Sequence, residues 1–217
     1  MLALLFISIN ANAFSFFQSS NEGNTLKATI LSRAQGLNPH VLELALNAYH
    51  KLYQQGYDKQ QMLTIIDYSK PSTERRLWVI DLKSLEVPFY ELVAHGKNSG
   101  DNVPDQFSDK PESLASSIGV YLTGNPYMGK HGYSLHLQGL EAGFNDKAYA
   151  REIVLHAASY VSESFAKIHG RLGRSWGCPA VSQAVSTPMI NNIKQGTVLV
   201  AYYPDKNWLN HSAYINA

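Results

Sequence analysis

The sequence contains a single cysteine, Cys178, among 217 residues. An internal disulfide needs two cysteines and a Cys-based zinc site needs several, so both are excluded. The one thiol is therefore either a small buried core residue or a reactive group.

An excess of charge of either sign is also missing. Eighteen Lys and Arg residues against 17 Asp and Glu residues leave a formal net charge of +1. A protein built mainly to bind nucleic acid needs clustered, excess Lys and Arg, so the sequence predicts no nucleic-acid partner. A hydrophobic content of 45% and a charged content of 16% are typical of a globular chain.

Apolar runs of the ~18 residues that a membrane-spanning helix requires are absent after the N-terminus. Residues 1–13 form a short apolar run that ends in Ala11-Asn12-Ala13, a small-x-small pattern typical of signal peptidase sites. We predict a signal peptide over 1–13, export to the periplasm or cell envelope, and no integral membrane span after its removal. The segment before the apolar run lacks Lys and Arg, so a misassigned start codon and an uncleaved anchor stay open as alternatives.

Residues 14–60 are expected to form a linker and an N-terminal helical segment. Residues 14–25 are rich in Ser, Asn and Gly and resemble a flexible tether. Further on, Asn38 is a good N-cap, Pro39 suits the first helical turn, and Gly56 suits the end of a helix. Apolar residues between them recur with a period near 3.6, which predicts an amphipathic helix.

After residue 61 the pattern changes to short segments rich in β-branched and aromatic residues. Gly, Pro, Asn or Ser bounds each one, so we predict strands at 63–68, 77–82, 87–94, 118–123, 133–140, 152–157 and 197–203. Short helices are expected near 145–150, 158–168 and 188–194. The fold class is therefore mainly β (α+β), a sandwich or barrel with short helices over 61–204, followed by a C-terminal tail over 205–217.

The segment that suggests chemistry is the loop Ser175-Trp176-Gly177-Cys178-Pro179-Ala180. Gly177 allows a substrate and the backbone to approach closely just before the thiol, and Pro179 stiffens the chain just after it. Such a loop can direct the backbone N–H groups of Trp176, Gly177 and Cys178 at one point. We therefore predict an oxyanion hole for a tetrahedral intermediate there.

A thiol acts as a nucleophile at neutral pH only with a base or a cation nearby. His156 ends a predicted strand, which is a rigid support, whereas His169 lies at a helix end, so we prefer His156 as the base. Arg171 and Arg174 add positive charge around the loop and, with Ser175, are candidate substrate-binding residues. The residues alone leave non-catalytic interpretations open, in which the thiol is a small buried side chain, the histidine is structural and the arginines are solvated surface charges.

Two further histidines, His95 and His131, lie beside glycines at predicted strand ends. They are candidates to line a cleft, although hydrogen bonding within loops explains them as well. No pair of histidines or cysteines has the close spacing of zinc ligands, so no metal site is predicted.

The order of a strand-borne His156 followed by Ser175-x-Gly177-Cys178 resembles the signature of L,D-transpeptidases with a YkuD-type catalytic domain. The segments RRLWVIDLKS (75–84), SSIGVYLTG (116–124), REIVLHAASYVSE (151–163) and GRLGRSWGCPAVS (170–182) are similar to the branch called murein L,D-transpeptidase catalytic domain proteins. The resemblance extends over about residues 60–203 and implies a YkuD-like β-sandwich or barrel.

The resemblance implies a reaction on peptidoglycan peptide stems. The Cys178 thiolate would attack a tetrapeptide stem, release D-alanine and form a thioester, and His156 would protonate the leaving amine. An acceptor amine would then give a 3-3 cross-link or an attached protein, and water would give L,D-carboxypeptidase activity. No cofactor is implied, and carbapenems are expected to acylate the cysteine.

Two departures from the commoner family pattern matter. Pro179-Ala180 stands where that pattern has x-Arg after the cysteine, so the role of its arginine is unassigned, with Arg174 or Arg171 as candidate substitutes. Ala157 stands where the pattern has Gly after the histidine.

A papain-like or sortase-like peptidase and an inactive wall-binding module remain alternatives. The papain-like order, Cys before His, counts against the first, and the intact Cys178 and His156 count against the second.

Overall fold

A computed structural model describes residues 20–216, with side chains from residue 23 onward. The predicted signal peptide at 1–13 lies outside the described residues. Five helices and eight strands are present in the described part of the chain. The helices are α1 (Ser20–Arg33), α2 (Pro39–Gln54), α3 (Glu163–His169), α4 (Gln183–Ile193) and α5 (Lys206–His211). The strands are β1 (Met62–Asp67), β2 (Leu77–Asp81), β3 (Glu86–Glu91), β4 (Gly119–Gly129), β5 (Gly132–Gly139), β6 (Val154–Ala157), β7 (Ala180–Val181) and β8 (Val198–Tyr202).

The eight strands form one mixed sheet in the order β3-β2-β1-β8-β4-β5-β6-β7. Two pairs are parallel, β1 with β8 and β6 with β7, and the others are antiparallel. An antiparallel bridge between Ala94, just beyond β3, and Ala180 in β7 brings the two edges together. The sheet is thereby nearly closed into a barrel, which confirms the mainly β fold class predicted from the sequence.

Side chains of the central strands alternate between two apolar cores, one on each face of the sheet. In β8, Val198 and Val200 join the core that contains α1 and α2, while Leu199 and Ala201 join the core that contains α4. Burial on both faces explains why the strands are apolar at almost every position. It also fixes their register, because a shift by one residue would exchange the two faces.

The helix predicted after Asn38 is confirmed: the Asn38 side chain accepts the His40 N–H at 2.8 Å, and α2 begins at Pro39. The expected tether at 14–25 is wrong in its described part, because α1 already begins at Ser20. Poor helix formers in α1 are tolerated because Ile30 is fully buried against α2 and the sheet.

Other sequence-based boundaries also shift. The expected helix at 145–150 is a series of turns instead, in which the N–H groups of Asn145 and Asp146 both bond to the Glu141 carbonyl. The expected tail at 205–217 contains α5, whose Trp208 is fully buried and donates its indole N–H to Glu141 at 2.8 Å. Within residues 20–216, no helix has the length and apolarity needed to cross a bilayer.

Candidate active site

The loop that carries Cys178 joins α3 to β7, and β7 lies beside β6, which carries His156. His156 is paired in parallel register with Ala180, two residues after the cysteine. The His156 N–H donates to the Pro179 carbonyl at 3.3 Å, so the strand and the loop are fixed to each other. Cys178 and His156 line the same open cleft of about 320 Å³. The two residues singled out in the sequence therefore lie in one cleft.

His156 is held in one orientation. Its side chain is almost fully buried, with 2% of its residue surface exposed. Its Nδ1 lies 2.9 Å from the carbonyl oxygen of Ala157. A carbonyl only accepts hydrogen bonds, so Nδ1 carries the proton and Nε2 is left with its lone pair free to accept one. Burial lowers the pKa of His156, and the nearby His131 adds to that effect. The imidazole is therefore a neutral base at neutral pH.

The thiol of Cys178 lies against the backbone at the start of β6. The Val154 N–H donates to Sγ at 3.4 Å, and the Glu152 carbonyl lies 3.6 Å from Sγ. Burial raises the pKa of this thiol, while the Val154 N–H and the Arg151 charge oppose that rise and Glu152 adds to it. Since burial is the largest effect, the thiol and the imidazole are both uncharged at neutral pH.

Ser175 closes the cysteine loop on itself. Its hydroxyl donates to the Cys178 carbonyl at 2.6 Å and accepts the Gly177 N–H at 3.1 Å. The loop is fixed from outside as well, since the Ser175 N–H donates to the His95 carbonyl at 2.9 Å. Ser175 lines the cleft, as expected of a substrate-binding residue, but both hydrogen bonds of its hydroxyl are made within the loop.

The predicted oxyanion hole requires a correction at Gly177. Its N–H donates into the loop to Ser175 Oγ, and the residue has a φ of 129°, which glycine adopts readily. Within the described residues, the backbone N–H groups of Trp176 and Cys178 have no hydrogen-bond partner. Two of the three predicted donors therefore stay free to bind an oxyanion.

The other predicted site residues separate into two groups. His131, in the turn between β4 and β5, lines the cleft, and its ring stacks on His156 with the centroids 4.4 Å apart. Arg174 lines the cleft while it donates to the Gly100 carbonyl at 2.9 Å. His95 and Arg171 are not among the residues that line the cleft.

His95 faces the interior rather than the cleft. It is 1% exposed, and its Nδ1 accepts a hydrogen bond from the buried Arg76 at 2.8 Å. Burial, followed by the Arg76 charge, lowers the pKa of His95 to about 4. Arg171 forms an ion pair with Asp101 at 2.8 Å.

The sequence argument missed several residues of the cleft. Tyr127, Lys130, Arg151, Glu152, Val154 and Tyr160 line it together with Trp176, whose side chain is 70% exposed. Lys130 and Arg174 bring two positive charges to the lining. No local motif marks these residues, because they come from separate turns and strands that only the fold brings together. Within the described residues, no three His, Cys, Asp or Glu side chains are grouped as metal ligands would be.

Comparisons with known proteins give the family of this chain. Residues 33–202 match the family model described as the L,D-transpeptidase catalytic domain. No curated protein matches the chain. One similar solved structure is an L,D-transpeptidase from Mycobacterium smegmatis, at 10% identity and a TM-score of 0.42, covering 66% of this chain and 59% of that one. The chain thus spans less than two thirds of that protein.

Another similar structure is an L,D-transpeptidase from Stackebrandtia nassauensis, at 14% identity and a TM-score of 0.39, covering 83% of this chain and 77% of that one. A third is the helical cell shape determining protein Pgp2 from Campylobacter jejuni, at 12% identity and a TM-score of 0.44, covering 76% and 57%. The family match, in contrast, extends over most of the residues printed here. The chain therefore belongs to the L,D-transpeptidase catalytic domain family.

Proposed function

We propose that this protein is an exported peptidoglycan L,D-transpeptidase that acts through a Cys178 thioester. One observation carries the proposal: in a chain of this family, the only cysteine and a buried, oriented histidine line one cleft. The substrate is a tetrapeptide stem, whose carboxylates suit the positive charges that Lys130 and Arg174 bring to the cleft. The oxyanion is bound by the backbone N–H groups of Trp176 and Cys178.

The reaction has two acyl transfers. His156 takes the thiol proton through Nε2, and Sγ attacks the carbonyl carbon of the third stem residue. The tetrahedral intermediate then breaks its C–N bond, and the imidazolium returns the proton to the departing D-alanine amine. An acceptor amine attacks the thioester, gives its proton to His156, and leaves with the acyl group in a new amide while the thiol is restored.

The acceptor decides between the named outcomes. A stem amine gives a 3-3 cross-link, an amine on a protein gives an attached protein, and water gives L,D-carboxypeptidase activity. A second cavity of about 280 Å³ shares Arg151, Glu152 and Trp176 with the cleft. It provides room for a second peptide beside Cys178, which favours transfer over hydrolysis.

The decisive experiment is to incubate the purified protein with a carbapenem and to measure the mass of the intact chain. We expect a covalent adduct on the wild type and none on Cys178→Ala. In parallel, D-alanine release from tetrapeptide muropeptides is measured, and the products are separated into cross-linked dimers and hydrolysed tripeptides. If the wild type gives neither adduct nor D-alanine, the proposed enzyme activity is wrong.

A pair of histidine variants tests the assignment of the base. His156→Ala is expected to abolish D-alanine release. His169→Ala is the matched control, because the His169 ring packs on Phe165 at 4.2 Å and is not among the residues that line the cleft. Loss of activity in the control with activity retained in His156→Ala would reverse the assignment.

A further inference from the structure

Arg151 is a buried arginine just before β6, and the established family signature assigns it no role. Its side chain is only 4% exposed although it reaches the cleft. All the hydrogen bonds and the ion pair of its side chain go to one segment, residues 108–117, which contains neither helix nor strand. The guanidinium donates to the Ser108 carbonyl at 2.7 Å, Ser117 Oγ at 2.6 Å, Ser113 Oγ at 3.0 Å and the Ala115 carbonyl at 2.8 Å.

That segment is in turn the support behind the nucleophile. Ser116 Oγ donates to the Gly177 carbonyl at 2.9 Å and accepts the Gly96 N–H at 2.9 Å. A Cβ placed on Gly177 would lie 2.8 Å from the Ala115 carbonyl and 3.3 Å from the Arg151 guanidinium. Arg151, the segment and the backbone just before Cys178 are thus packed in direct succession.

Arg151 also carries a positive charge that acts on the thiol. That charge opposes the rise in the Cys178 pKa caused by burial, and Glu152 acts in the opposite direction. The acid that faces Arg151 is Asp109, at 3.6 Å, and this carboxylate also accepts the Lys147 N–H at 2.9 Å. Two phenols, Tyr127 and Tyr160, line the same cleft as Cys178.

The two arginines beside the cysteine in sequence share one surface carboxylate. Both Arg171 and Arg174 lie within ion-pair distance of Asp101, at 2.8 and 3.4 Å. Asp101 is strongly exposed, so these pairs belong to the surface. Neither guanidinium contacts the residues behind Gly177, whereas that of Arg151 does.

We propose that Arg151 is the positioning residue of the cysteine loop: its guanidinium holds residues 108–117 against the Gly177 backbone and places a fixed positive charge behind Cys178. It thereby takes the role of the arginine that the commoner family pattern has after the cysteine, where this chain has Pro179-Ala180. The inference deepens the proposed function and rests on it for its catalytic meaning. The effect on the thiol itself does not depend on any substrate.

The test measures alkylation of Cys178 by iodoacetamide between pH 6 and 10, so that the rate reports the thiolate fraction. Arg151→Gln removes the charge, Arg151→Lys keeps it without the planar fork, and Arg171→Gln is the matched control. We expect Arg151→Gln to alkylate ~3- to 10-fold more slowly near neutral pH, with its profile moved to higher pH. The profiles of Arg151→Lys and Arg171→Gln should follow that of the wild type.

A purely structural arginine would lower the melting temperature of both Arg151 variants and leave their alkylation profiles unchanged, which would overturn the proposal. The hold of Arg151 on residues 108–117 is tested separately with Ser113→Ala, which removes one hydrogen-bond acceptor and no charge. Its alkylation profile should match the wild type, while its acylation by a carbapenem is expected to slow by ~3-fold or more, the cost of one lost hydrogen bond to a charged donor.

If Arg151→Gln does not fold, Arg151→Lys and Ser113→Ala decide the matter. A profile of Arg151→Lys that moves to higher pH, or wild-type acylation by Ser113→Ala, would refute the proposal. Failure of the proposed function looks different: the wild type would then form no carbapenem adduct, while its alkylation profile would still depend on Arg151.

Discussion

Ser175→Ala is the perturbation that most directly tests how the nucleophile is positioned. The hydroxyl makes two hydrogen bonds, to the Cys178 carbonyl and from the Gly177 N–H, and the residue is only 5% exposed. Each such bond contributes about 1 kcal/mol net, so their joint loss costs about 2 kcal/mol. In a chain of this length, that loss lowers the melting temperature by ~4–8 °C.

The same loss is expected to affect the reaction more than the fold. Without Ser175 the Gly177 N–H and the Cys178 carbonyl are unpaired, so the loop relaxes and the free N–H groups of Trp176 and Cys178 lose their common direction. If about 2 kcal/mol of this ordering is needed in the transition state, the acylation rate falls ~30-fold.

The assay is the rate of carbapenem adduct formation, followed by the mass of the intact chain at a temperature where both proteins are folded. Ser164→Ala is the control, since Ser164 is exposed on α3 and its hydroxyl contacts only that of Ser162. Acylation by Ser175→Ala within twofold of the wild type, with a melting temperature lowered by less than about 1 °C, would refute the argument.

Three other predictions follow from the same geometry. His131→Ala should move the acid limb of the activity profile to higher pH. Burial and the nearby His131 lower the pKa of His156, so removal of the His131 ring raises that pKa. A limb that stays or moves to lower pH contradicts the stacking argument. Gly177→Ala should lose most activity and ~1–3 kcal/mol of stability, measured by chemical unfolding, since its φ is 129° and a Cβ would meet the Ala115 carbonyl at 2.8 Å; a stable, active variant contradicts this. Burial raises the pKa of Asp58 to about 6, so the folded state binds a proton that the unfolded state has lost, and this contribution to stability falls as pH rises from about 4 to 6. Asp58→Asn should therefore weaken that part of the pH dependence of unfolding, and an unchanged curve would disprove it.

Part of the fold could be read directly from the sequence. Strands β1, β2, β5 and β8 lie within about a residue of the predicted ranges, because buried strands are marked by local runs of β-branched and aromatic residues. Apart from α2, the helices were harder to predict from the sequence. No local pattern distinguishes α1 from a tether, because it is stabilised by burial of Ile30 against the sheet. The turns at 141–152 contain good helix formers, yet the Asn145 side chain bonds to the Glu141 N–H and the Val120 carbonyl instead.

The residues of the site also divide into those that the sequence indicated and those that only the structure placed. Cys178 and His156 were selected from the sequence because both lie in short, ordered segments whose role depends on a few neighbouring residues. The free N–H of Gly177 was a wrong expectation, since its direction depends on the closed Ser175 loop. His95 was expected near the cleft, but the buried Arg76 holds it in the interior.

The amino-acid sequence by itself therefore determined the mainly β class of this protein and singled out Cys178 and His156 as the candidate nucleophile and base, because these depend on residue types and short-range order. The tertiary structure decided which groups surround the nucleophile. The Val154 N–H contacts the sulfur from 24 positions away, and Ser116 supports Gly177 from 61 positions away. Such contacts exist only after the sheet has nearly closed and brought its edges together, and no local pattern of residues encodes their geometry.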